Sequence, residues 1–222
     1  MSGAEPKPQN WSIDEREYAR HESRRGRRFA YEVLDPVRTA LVVVDMVRFF
    51  ADADPHFRGI VPNINALAGA LREAGGTVAW VLPEVGPPSE WAMGFYGPTV
   101  AAMFAASGGS GSQKERLFPE LDARADDVWA EKSAASAFFP GRSTLPTPLA
   151  ERDVDTVLIT GTVTSVCCES TARDAATLGY RVVFLADGTA DVRDAARNAT
   201  LRTVYRSFGD VRPTAEVLAL LS

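Results

Sequence analysis

The sequence predicts an α/β fold in three layers, a mostly parallel sheet with helices on both of its faces. Three observations carry that expectation. Apolar runs such as TALVVVDM (39–46) continue without polar alternation, which is the pattern of a strand buried on both faces of a parallel sheet. Such runs alternate with segments whose apolar residues recur at helical spacing, so each strand leads into a crossover helix. A chain of 222 residues, 45% hydrophobic and 24% charged, builds one sizeable core more readily than two small ones.

Taken in order, MSGAEPKPQN (1–10) has the composition of disordered chain. WSIDEREYARHESRRGRR (11–28) reads as a charged helix with Ser12 as its N-cap and Glu15 closing a capping box. Residues 1–35 together form an arm, expected to pack on the body or on a second subunit, and the main domain is expected over 36–222. After the strand at 39–46 comes a helix at 62–76, with Pro62 near its start, Ile64, Leu67, Ala68 and Leu71 on one face, and Gly75 and Gly76 as the stop. TVAWVL (77–82) is the next strand, followed by an excursion that holds a helix-like TVAAMFAA (99–106) and a flexible loop tip, SGGSGS (107–112). DDVWAEK (126–132), DTVLITG (155–161) and RVVFLAD (181–187) are further strands. A helix over about 166–178 separates the last two, and a long helix over 191–208 follows them. Ligands of open parallel sheets bind beyond the carboxyl ends of the strands, where strand order switches. That rule points to Asp45, Pro83, Glu84, Lys132, the turn at 161–168 and Asp187.

A formal net charge of −5 gives no general attraction to nucleic acid or to an anionic membrane, so a small-molecule partner is expected. The arginines of RRGRR (24–28) can contact phosphate, but Asp14, Glu15, Glu17 and Glu22 precede them, and a solvated helix end accounts for them too. No apolar run approaches the roughly 20 residues of a membrane span, and the amino terminus lacks the apolar stretch of a signal peptide, which predicts a soluble, cytoplasmic protein. Adjacent cysteines close almost no loop, so Cys167 and Cys168 are expected to be reduced.

Those two cysteines sit where the strand at 155–161 turns into a helix. Unpaired N–H groups and the helix dipole there stabilise a thiolate, which predicts a thiol pKa lowered from about 8.5 into the range of roughly 3.5–7.5. Two small buried hydrophobes describe the pair as well. At another strand end, Asp45 can accept a thiol proton and return it to a leaving nitrogen, or simply bond its own loop. Lys132 can lower the thiol pKa, keep Asp45 ionised and hold developing charge, or be a solvated strand end. Phe50, Trp91, Phe95, Tyr96 and Phe138 are candidates to line a substrate pocket, as well as ordinary core or interface residues. Arg48 and Arg142 can bind a carboxylate. The chain has only two histidines, His21 and His56, too few for a His-rich metal site; Asp52, Asp54 and His56 have a metal-like spacing that also suits a polar loop.

LVVVDM (41–46), AEKSAASAF (130–138) and ITGTVTSVCCESTARDA (159–175) together resemble the isochorismatase-like cysteine hydrolases. That superfamily holds nicotinamidases, N-carbamoylsarcosine amidase, ureidoacrylate and biuret hydrolases, streptothricin hydrolase and isochorismatase. The resemblance runs from about residue 38 to 210 and leaves the arm and the 84–120 excursion uncovered. It implies a single Rossmann-like domain with a central, mostly parallel six-stranded sheet. It implies an Asp45, Lys132, Cys167 triad, with Cys167 as nucleophile and Cys168 as packing. It also implies a cis peptide at Thr162–Val163 and an oxyanion hole made by the N–H groups of Val163 and Cys167. The activity implied is cleavage of an amide, ureido or lactam C–N bond through a thioester. Where nicotinamidases carry an Asp-x-His metal element, this chain reads WVLPEVGPP, so neither a metal nor another cofactor is expected. The partner expected is a small amide-type molecule, and the protein itself a homodimer or homotetramer. Three other readings stay open: vinyl ether hydrolysis with Asp45 as general acid, a non-catalytic binding protein of the same fold, and a redox sensor using the cysteine pair.

Overall fold

The computed structural model describes residues 6–51 and 53–221. In chain order its elements are α1 (Glu15–Arg25), β1 (Thr39–Val44), α2 (Arg48–Ala51), α3 (Pro55–Gly59), α4 (Val61–Glu73), β2 (Thr77–Pro83), α5 (Glu90–Tyr96), α6 (Pro98–Ala105), α7 (Gln113–Arg116) and β3 (Val128–Lys132). There follow α8 (Pro146–Ala150), β4 (Thr156–Thr162), a π-helical turn (Thr164–Cys168), α9 (Glu169–Thr177), β5 (Arg181–Ala190), α10 (Asp194–Ser207), β6 (Asp210–Arg212) and α11 (Thr214–Leu221). The strands form one six-stranded sheet, parallel throughout, in the order β3-β2-β1-β4-β5-β6.

The continuous apolar runs work as a two-sided sheet requires. All six residues of β1 are buried. Ala40, Val42 and Val44 face the layer built by α9 and α10, through Ala172, Ala175, Leu201 and Val204. Leu41 and Val43 face the opposite layer of α4 and α11, through Ile64, Leu67, Leu71 and Val217. Strand order reverses between β1 and β4, so a cleft opens beyond their carboxyl ends. Gly161 lets the two strands meet there: its φ is +109°, and a Cβ on it would lie 2.1 Å from the Val44 carbonyl oxygen.

Several expectations are corrected. Helix α1 is capped by Asp14, whose carboxylate accepts from the Arg16 N–H, while the Ser12 N–H is held by Asn198 on α10. Tethering Ser12 to α10 keeps it extended, so the helix starts later. Among the arginines of 24–28, Arg25 bonds the carbonyls of Arg27 and Arg28, and Arg28 pairs with Glu15. From Lys7 onward the arm is bonded to the body, so the disorder expected for 1–10 does not extend to its second half; residues 1–5 lie outside the described residues. Loop 107–112 is not slack at its base: Ser107 and Gly108 are buried, and Arg116 donates to the carbonyls of Gly108 and Pro83. Among the described residues no helix is long and apolar enough to cross a membrane.

Replacing Gly161 with alanine forces a side chain into positive φ and onto the Val44 backbone. The backbone conformation alone costs about 1–3 kcal/mol, and the clash adds to it. A urea titration of Gly161→Ala is expected to show a midpoint well below that of the wild type.

Candidate active site

Three strand ends converge at the switch point. Asp45 follows β1 with φ +52°, a left-handed conformation that aspartate tolerates better than most side chains. The turn is fixed from both sides, since the Asp45 N–H donates to the Val81 carbonyl and its own carbonyl accepts from the Thr162 hydroxyl at 2.8 Å. Lys132 closes β3, and its Nζ lies 2.8 Å from Asp45 Oδ2, 3.0 Å from the Ala134 carbonyl and 3.6 Å from Cys167 Sγ. Asp45 and Lys132 are 1% and 4% exposed. Cys167 lies in the π-helical turn between β4 and α9 and is half-buried. The structure thus brings Asp45, Lys132 and Cys167 together, and it holds the Thr162–Val163 peptide cis.

The electrostatics differ from the sequence expectation. The Cys167 thiol is pushed up to about 12, first by burial and then by the Asp45 carboxylate, with Lys132 pulling the other way. Burial and the neighbouring carboxylate outweigh the single lysine, so sulfur keeps its proton at rest. Burial works against the Lys132 ammonium, but Asp45 and Cys167 outweigh it and hold it above its ordinary value. Cys168 is fully buried against Ala172 and the other residues of its core layer, with Sγ facing the Thr160 carbonyl, and burial raises its pKa well above the ordinary thiol value.

The turn itself is tied down in part by Asp191 and Thr171, which the sequence did not single out. The N–H of Ser165 donates to Asp191 Oδ2 at 2.9 Å, and the N–H groups of Val166 and Cys168 both donate to the Val163 carbonyl. The Thr171 hydroxyl on α9 accepts from the Ala137 N–H, which locks the lysine loop to the helix behind the cysteine. Asp191 and Thr171 are remote in the chain from the residues they hold, and no local pattern marks them.

A cavity of about 790 Å³ leads to Lys132, lined among others by Glu84, Trp91, Phe104, Ser133 and Arg142. The aromatic candidates divide around it. Trp91 lines the cavity; Phe95 stacks on Trp91 at 5.2 Å, and Tyr96 bridges Trp91 and Phe104, so both back the wall instead of lining it. Phe50 packs edge-on against Phe49 and onto the α4 layer. Of its two readings Phe138 takes the core one: it is 1% exposed and packs on Tyr180, with the Ser136 hydroxyl accepting its N–H. Phe104, which does line the cavity, stood out in sequence only as part of an apolar helix. Arg142 reaches the rim with its Nε on the Ser133 hydroxyl, whereas Arg48 lines a separate cleft with Glu115. Among the described residues no three His, Cys, Asp or Glu side chains group to hold a metal ion. His56 contacts Asp54 at 2.7 Å, and Asp52 lies outside the described residues.

The isochorismatase domain model matches residues 39–216. A ureidoacrylate amidohydrolase of Pseudomonas savastanoi pv. phaseolicola is 32% identical over 202 residues, covering 79% of this chain and 80% of that protein. The crystal structure of a cysteine hydrolase from Pseudomonas syringae pv. phaseolicola superposes with a TM-score of 0.74 at 29% identity, covering 87% of this chain and 96% of that one. N-carbamoylsarcosine amidase from Thermoplasma acidophilum gives a TM-score of 0.65 at 26% identity, covering 80% and 96%.

Because Asp45 is one of the causes that raise the thiol pKa, Asp45→Asn is expected to let Cys167 ionise at lower pH. Intact-mass measurement of iodoacetamide labelling against pH checks this. An unmoved or upward-shifted curve would contradict the electrostatics described above.

Proposed function

The chain belongs to the isochorismatase family, and from that premise we propose that it is a cysteine hydrolase cleaving a C–N bond of a small amide, ureide or lactam without a metal. The observation that carries the reading is the contact of Lys132 with both Asp45 and Cys167 at the sheet's switch point. The named relatives act on ureidoacrylate and N-carbamoylsarcosine, which supports the C–N class.

In this reading the thiol rests protonated, so Asp45 takes its proton as sulfur attacks the carbonyl carbon. The carbonyl oxygen gains the negative charge and is held by the N–H groups of Val163 and Cys167. Assignment to those two is supported by three neighbouring N–H groups being engaged elsewhere: Ser165 by Asp191, Val166 and Cys168 by the Val163 carbonyl. The tetrahedral intermediate collapses, the C–N bond breaks, and protonated Asp45 gives its proton to the leaving nitrogen. A thioester and an ionised Asp45 remain. Water then attacks, Asp45 accepts its proton, and the returning sulfur takes that proton back. Lys132 stays an ammonium throughout and steadies whichever neighbour carries the negative charge.

A cavity of about 790 Å³ with Trp91 and Phe104 in its wall favours a substrate larger than urea. The reading includes a cytoplasmic homodimer or homotetramer, supported by the exposed apolar side chains of α5 and α6, among them Trp91 and Phe95. Light scattering distinguishes these from a monomer.

The decisive experiment measures ammonia release from ureidoacrylate, N-carbamoylsarcosine and nicotinamide. Cys167→Ala is expected to lose at least about a thousandfold in turnover while Cys168→Ala keeps most of it. An acyl adduct on Cys167 in the quenched wild type is expected as well. Undiminished turnover in Cys167→Ala would leave acid chemistry at Asp45 in place of the thiol.

A further inference from the structure

We propose that the amino-terminal arm is a strap that positions the nucleophile turn, acting through Gln9 and Asp191. The proposal rests on the reading of Cys167 as nucleophile and adds an element outside the family match, which begins at residue 39.

Asp191 follows directly on β5, where Gly161 pairs with Thr189 and Thr162 with Ala190, so it emerges beside Val163. Its carboxylate, on a residue 5% exposed, accepts the Ser165 N–H and so fixes the turn between the proposed oxyanion donors. The other side of Asp191 has lost its sheet neighbour, because β6 pairs with β5 only as far as Leu185. Gln9 takes that place. Its Oε1 accepts the Asp191 N–H at 2.9 Å and its Nε2 donates to the Asp191 carbonyl at 2.7 Å, the two-point pairing that a neighbouring strand would give. The same Nε2 reaches Asp194 Oδ1 at 3.2 Å, at the start of α10.

Gln9 is held for this role from both directions. The Lys7 N–H donates to the Pro55 carbonyl on α3, and the Lys7 carbonyl packs so closely on Gly59 that a Cβ there would stand 2.3 Å from it. Beyond Gln9, Ser12 is tied to Asn198, while Trp11 and Ile13 pack into the α10 layer. The arm therefore crosses the carboxyl end of the sheet between two anchors, and ordering the Gln9 side chain costs little further entropy. Gln9 and Asp191 are positioning residues: neither touches the reacting atoms, and both act through Ser165.

The test uses the full chain and iodoacetamide as the probe, with Cys167 alkylation followed by intact mass from pH 7 to 11 and the thermal midpoint recorded alongside. Gln9→Ala and Asp191→Ala are each expected to change the Cys167 rate constant by about fivefold or more, the size of one lost hydrogen bond. Asp191→Asn keeps an oxygen acceptor for Ser165 and is expected to return close to wild type. Gln9→Glu loses the donor and faces two carboxylates, and is expected to match Gln9→Ala. Alanine variants whose profiles lie on the wild-type curve overturn the strap, as does an Asp191→Asn variant no better than Asp191→Ala. If Asp191→Ala does not fold, Gln9→Ala decides alone. A wild type that hydrolyses none of the amides overturns the hydrolase reading, whereas unchanged alkylation in the arm variants of an active wild type overturns only the strap.

Discussion

The ion pair between Asp45 and Lys132 sets the terms for everything around it. Taking two charges out of water costs several kcal/mol for each ion, and close contact alone recovers this only when further hydrogen bonds complete the shell. Here the shell is completed on one side only. Lys132 Nζ has Asp45, the Ala134 carbonyl and Cys167 around it, while Asp45 Oδ1 is buried with no hydrogen-bond partner. Such a pair is a weak contributor to stability, and apolar residues would fill the same space at lower cost. Its persistence therefore needs a rigid frame, and its incomplete shell suits a group that exchanges a proton.

The sheet supplies that frame, and its register explains the residue types. Lys132 stands opposite Pro83 at the end of β3, and β3 is separated from β1 by the whole of β2. Two strand spacings amount to roughly 9.5 Å, a gap that a short side chain cannot bridge and a lysine stem can. Asp45 shortens the distance by turning through positive φ, and Cys167 approaches from β4 on the other side. The cluster thus spans four adjacent strands, from the edge strand β3 across β2 and β1 to the end of β4.

This logic was legible in sequence wherever burial was continuous. TALVVVDM, TVAWVL and RVVFLAD announce themselves as strands because both faces of the sheet are covered, and the acid at the end of the first marks the switch point. The three-residue β6 is too short for a period to emerge in the sequence. The misplaced helix cap comes from a partner remote in the chain, Asn198 for Ser12, and the burial of Phe138 goes with its packing on Tyr180, 42 residues away. The direction of the thiol pKa failed for a related reason. Local rules see a helix terminus and a lysine, whereas burial and the Asp45 carboxylate appear only when the strands are assembled.

A thiol that rests protonated fits the proposed chemistry better than a free thiolate would. With Asp45 ionised, Lys132 charged and sulfur neutral, the buried cluster carries one cation and one anion. A thiolate would add a second anion to a site with a single cation, at the desolvation cost that places the thiol at about 12. In the proposed cycle that second anion never arises. As sulfur attacks, its proton passes to Asp45 and the negative charge moves to the carbonyl oxygen; as the amine leaves, the proton leaves with it and the charge returns to Asp45. At each stage one anion faces Lys132, so the same low dielectric that suppresses the thiolate favours concerted transfer of proton and charge.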